Sequence, residues 1–283
     1  MYNLNSCSGF SCSYSSISKS YSRSAGSGLD NIVYSMSDSI AVAKDSYSDT
    51  NFESMMIRAY DSHDEYQDKG AVAKEALNTS AGVDSSYLVG HQNFNPVSFL
   101  NPDRPKARFI TNVEELLPII TETFEALTGE DFPDNLSIKI CDENELKEIH
   151  EAHGGVWVPG IQGFSLNRNG KGVNEVFVRK DALDSMMLTI GHEIGHVMTP
   201  TLKDPVDEES KAFAFSLAWI KTIKDNNIAD LAGNISPNPA RNGLHDKAFS
   251  FVIKILNQGK SAFQTFKEIA KGEFKSTQIV EVY

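Results

Sequence analysis

The stretch from Leu188 to Met198 constrains this chain more than any other. It carries His192 and His196, four apart, with Glu193 directly after the first. On an α-helix, positions i and i+4 lie one turn apart on the same face, so both imidazoles can aim a ring nitrogen at one metal ion. Glu193 lies about 100° round from His192, where it can reach a water on that ion without being a ligand. Two imidazoles that hold a metal, and a carboxylate that takes a proton from its water, make the geometry of a zinc hydrolase. Chance alone yields such a pattern on the order of once per hundred chains of this length, so the flanks matter. Met187, Ile190, Ile194 and Val197 supply the apolar side of a half-buried helix. Gly191 and Gly195 each lower helix propensity by about 1 kcal/mol. They are poor choices unless another element packs closely there.

The rest of the 283 residues divide by composition. Residues 1–50 are rich in serine and poor in apolar side chains, and disorder is the expectation, because such a segment buries too little to offset its ordering entropy. Residues 51–105 form a second region. Phe52, Met55, Met56, Ala59 and Tyr60 recur at helical spacing, so an amphipathic helix is expected over about 51–78, followed by a proline-bearing linker.

A compact domain is expected over 106–283. Asn112 with Glu115 reads as a capping box that opens a helix to Thr128, with Pro118 kinking its first turn or moving its start. Leu136–Cys141 reads as a strand, and Asp142 with Glu145 opens a second helix. Trp157–Leu166 and Val173–Val178 read as strands joined by an Asn/Gly-rich turn. The metal-motif helix should span about Leu183–Met198, and a further helix Asp207–Lys224. Two more helices are expected at about 244–256 and 261–271, with the tail Thr277–Val282 a strand or a loose end. The fold class is therefore α+β.

A zinc site of this type needs a third protein ligand. A histidine six residues after His196 is excluded, because that position is Leu202. The acidic run Asp207-Glu208-Glu209, at the start of the following helix, can instead reach back across a short loop.

These residues resemble the zincin metallopeptidases, in particular the gluzincin branch that includes thermolysin. The likeness rests on His192-Glu193-x-x-His196 and a downstream Glu209-x-x-Ala212. It implies one Zn2+ per chain held by His192, His196 and Glu209, with Glu193 as general base. The order of elements over about 106–220 also resembles the small mixed sheet, active-site helix and glutamate helix of the gluzincin core, at the size of the minigluzincins. Where many gluzincins carry an acidic or amide residue after the alanine to steady a motif histidine, this chain has Phe213. Glu208, Asp207 or a backbone carbonyl must serve instead.

Other candidates carry less. Arg241 and His245 are four apart, and His245 is the candidate for stabilising an oxyanion. His150 and His153 read as an exposed helix end, and Cys141 as a buried thiol. Cys7 and Cys12 are spaced too widely for a zinc knuckle. Gly160–Leu166 would suit an edge strand that binds an extended peptide, and would equally suit a core hairpin.

The net charge of −12 without a basic patch argues against nucleic acid. No apolar run approaches the roughly 20 residues of a membrane helix, and Met1–Ser20 lacks the pattern of a secretory signal. A cytoplasmic chain acting on a peptide or protein is expected. The alternative is a catalytically inactive zinc-binding fold serving as a binding or assembly module. The N-terminal region and the tail 274–283 are candidates for blocking the cleft in a latent form.

Overall fold

The computed structural model describes residues 94–236 and 246–278. The Ser-rich stretch, the helix expected over 51–78, Cys7, Cys12, Arg241, His245 and the last five residues lie outside the described residues.

Five capped helices show how local sequence sets the elements. Asn112 accepts from the Glu115 amide and opens α1 (Val113–Thr128), which Gly129 ends in the left-handed region at φ 74°. Pro118 neither breaks α1 nor displaces its start. It is exposed and sits in the second turn, where solvent can reach the carbonyl that its missing N–H leaves free. After β1 (Leu136–Cys141), Asp142 caps α2 (Glu143–Ala152) by the same side-chain bond. Strands β2 (Gly163–Leu166) and β3 (Asn174–Arg179) follow, then the motif helix α3 (Leu183–Val197). Asp204 and Pro205 open the next helix, α4 (Pro205–Asn226), two residues before the acidic run suggested. Asp246 caps α5 (Lys247–Leu256) and Ser261 caps α6 (Ala262–Ala270).

The sheet has the order β1-β3-β2. β1 runs parallel to β3, with Leu136 opposite Asn174, and β2 is antiparallel to β3, with Phe164 opposite Phe177. The β2–β3 pair is the expected hairpin, but β2 is shorter than the apolar run suggested. Val156 and Val158 are exposed, and Gly160 takes φ 107°, so the chain before Gly163 is loop.

One face of the sheet covers α3 and the helical core, with Val176 and Val178 in the main apolar cluster. The other face carries Phe164, Leu166 and Phe177, packed with Leu146 of α2 and the buried Cys141, whose thiol burial pushes up to about 11. This small mixed sheet and its helices fit a zincin-like core. Phe99 and Leu100, upstream of the stretch expected to start the domain, are also buried in the main cluster. Among the described residues, no helix is long and apolar enough to cross a membrane.

α3 and α4 meet at two glycines. A Cβ on Gly195 would lie 2.9 Å from Ala212 Cα and 3.0 Å from its carbonyl oxygen. A Cβ on Gly191 would lie 2.4 Å from the Trp219 ring, whose Nε1 donates to the Met187 carbonyl at 2.9 Å. The helix-weakening glycines of the motif are therefore points of close approach, and they set how near α4 comes to the histidines.

Candidate metal centre

That close approach brings the first turns of α4 against the motif face of α3. His192 Nε2 lies 3.5 Å from Glu209 Oε2, and His196 Nε2 lies 3.8 Å from Glu209 Oε1. One ligand atom from each of the three residues lies within 4.8 Å of the others. These separations are long for hydrogen bonds but suit a shared cation. Tetrahedral ligands at about 2.0–2.1 Å from zinc sit roughly 3.3–3.4 Å from one another. Two imidazoles and a carboxylate are also the donor set of catalytic zinc sites. The buried His192-His196-Glu209 triad, with its helix spacing, thus forms a gluzincin-like metal site.

Glu208 points the other way. Its Oε1 accepts from His196 Nδ1 at 2.9 Å and from Lys211 Nζ at 2.9 Å, and its Oε2 accepts from the Leu202 amide at 2.7 Å. His196 is thereby oriented with Nε2 toward Glu209. Burial pushes the Glu208 carboxyl up, but the His196 bond, the Lys211 charge and the Leu202 amide together hold it below the ordinary range. Lys211 has no exposed surface, and burial lowers its pKa against the pull of Glu208. Its ammonium also donates to the carbonyls of His196 at 3.2 Å and Pro200 at 3.4 Å. Asp207 takes no part, since its Oδ1 accepts from the Ser276 amide at 2.7 Å.

His196 also reports the field of the pocket. Burial lowers its pKa, yet Glu209, Glu208 and Glu193 together raise it above the ordinary value. Three carboxylates against one lysine leave a buried pocket that favours an added positive charge.

His192 is held by different means. The Phe94 ring stacks on it at 4.2 Å and 12°, and Phe213 meets it edge-on at 5.1 Å. Its buried Nδ1 has no hydrogen-bond partner among the described residues. Phe213, the departure from the gluzincin pattern, therefore replaces a hydrogen bond with aromatic packing, and Phe94 completes the clamp. Phe94 lies in what reads as a linker, so only tertiary contact reveals it.

Glu193 stands beside the triad and not in it. Its Oε2 accepts from Ser165 Oγ at 2.9 Å, and Oε1 receives no hydrogen bond among the described residues. Glu193 is 3% exposed, and His192, His196 and Glu209 are exposed by 1% or less.

His150 requires a correction. It is buried, its ring facing Phe164 and Trp157 edge-on and lying against Gly155. Burial lowers its pKa, and Glu193 is among the charges that oppose this. The helical spacing that suggested an exposed end missed the loop 153–162, which folds back over it. Ser165, Lys211 and Phe94 had no signal of their own in the sequence.

No family model matches the chain, and comparisons with curated proteins and with solved structures found no match either.

Proposed function

We propose that this chain is a zinc-dependent peptidase of gluzincin type, with His192, His196 and Glu209 as ligands and Glu193 as general base. The observation that supports it best is the convergence of three ligand atoms with a fourth side chain, Glu193, outside the group but close enough for its charge to act on His196. Three protein ligands among the described residues are the pattern of catalytic zinc, which keeps a coordination position open, whereas structural sites are closed by four. Bound there, zinc would supply Lewis acidity to a peptide carbonyl and to a water, whose pKa it brings to about 7.

The chain's own groups do the rest. Glu208 and the Phe94–Phe213 clamp hold the two imidazoles in place. Glu193 takes the proton of the attacking water on Oε1 and returns it to the leaving amine. β2 has a single strand neighbour among the described residues, so an extended peptide can pair along its other side. His245 is retained as the candidate for the oxyanion.

The near-complete burial of the triad favours a second reading, a zinc-binding module without hydrolysis. Glu193→Gln separates the two. The hydrolase reading expects the variant to bind one zinc per chain and to lose cleavage of an unbiased peptide pool by at least about a hundredfold. Zinc binding by the natural chain with no cleavage, or full activity in the variant, would overturn it.

A further inference from the structure

The contacts between β2 and α3 follow a register. Gly163 and Ser165 of β2 face the motif helix, two residues apart as alternation along a strand requires, and Asn167, the first residue past the strand, faces it too. Their partners on α3 are Thr189, Glu193 and the carbonyl of His196. From Gly163 to Ser165 the strand advances about 6.6 Å while Thr189 to Glu193 advances about 6 Å, and the next step, to Asn167, meets a carbonyl three residues further along the helix, so each step of the strand matches about one turn.

Both ends of this alignment are fixed. A Cβ on Gly163 would lie 2.8 Å from Thr189 Cγ2 and 2.7 Å from the Phe177 carbonyl, so strand and helix touch there without space for a side chain. At the other end, Asn167 Nδ2 donates to the carbonyls of His196 at 2.8 Å and Thr199 at 2.7 Å. Ser165 is the middle rung, 1% exposed, and its hydroxyl donates to Glu193 Oε2.

We infer that Ser165 is a positioning residue that fixes the Glu193 carboxylate so that Oε1 alone faces the reacting water. The inference rests on the hydrolase reading above. A carboxylate on a flexible side chain can rotate and present either oxygen. Bonded at Oε2 to a hydroxyl on a strand that is itself pinned at both ends, it keeps one orientation. Oε1 then carries the proton from water to leaving amine, and Ser165 neither gains nor loses a proton in the cycle. Mis-setting a reacting group by about 1 Å can cost on the order of a hundredfold in rate.

The test uses the full chain loaded with zinc and a peptide that it cleaves. Ser165→Ala removes the hydroxyl, and Ser165→Cys nearly preserves its volume while offering only a weak donor. Both variants are expected to lose kcat by about tenfold to a hundredfold. KM and zinc affinity, the latter measured by competition with a chelator, are expected to stay within threefold of the natural chain. Added to Glu193→Gln, neither change should lower the residual rate further.

Ser165 variants that keep kcat within twofold, while Glu193→Gln abolishes cleavage, would overturn this inference alone. A fall in zinc affinity matching the fall in kcat would make Ser165 a support of the metal site and overturn it too. Full activity in Glu193→Gln would remove the hydrolase reading and this inference with it.

Discussion

Glu208 and Glu209 are neighbours of identical chemistry with opposite tasks. Adjacent helix positions lie about 100° apart, so only one of the two can face the histidine Nε2 atoms. The other meets His196 Nδ1 and the buried ammonium of Lys211. Glu208→Ala should therefore do two separable things. It leaves Lys211 buried without its counter-ion, at a cost of about 3–5 kcal/mol, and it frees the His196 ring, lowering zinc affinity about tenfold to a hundredfold. Adding Lys211→Met should recover most of the stability and none of the affinity, as read by thermal unfolding and chelator competition. Recovery of affinity in the double variant would reduce Glu208 to a counter-ion for Lys211. The sequence offers this acidic run as a source of the third ligand, and resemblance selects Glu209 within it. The division of labour needed the helix in place. Phe213 and Lys211 were opaque for a related reason: an aromatic or a lysine in a helix carries no mark of the imidazole or carboxylate it will face.

At the scale of elements, helices were legible wherever a cap coincided with apolar periodicity. Asn112, Asp142 and Ser261 each bond an amide three residues on. The strand before Gly163 was misread because an apolar run resembles a strand whether or not a partner pairs with it. Gly195 shows how element packing reaches the site. Gly195→Ala should gain about 1 kcal/mol of helix propensity. Its Cβ would meet the Ala212 backbone at 2.9–3.0 Å, and backbone, unlike the end of a side chain, moves only with its helix. Overpacking of this kind costs about 1–3 kcal/mol, so the net effect should be destabilising. The displaced α4 also carries Glu209, three residues before Ala212, so zinc affinity should fall as well. Unchanged affinity with raised stability would show that α4 yields without moving its carboxylate.

For the molecule as a whole, the zincin-like core was legible from two short motifs, but its extent was not. Phe99 and Leu100 complete the apolar cluster from a stretch whose prolines read as linker. Their burial depends on Phe249 and Ile235, more than a hundred residues away in the chain, and such pairings leave no local pattern. The metal site ties together α3 and α4, two helices largely buried in the main cluster, so its occupancy should report on the stability of the whole. A ligand that binds only the folded state stabilises it by about 2.7 kcal/mol when present at a hundred times its Kd. In a folded unit of this size, each kcal/mol moves Tm by about 2–4 °C, so zinc should raise Tm by roughly 5–10 °C and a chelator should reverse the rise. Glu209→Gln should abolish the zinc-dependent rise, because it removes a ligand. Glu193→Gln should keep it, because Glu193 stands outside the triad and is bonded to Ser165. Loss of the rise in Glu193→Gln would make that carboxylate a ligand and leave the site without a base, so this pair of melting curves tests the assignment of roles without any substrate.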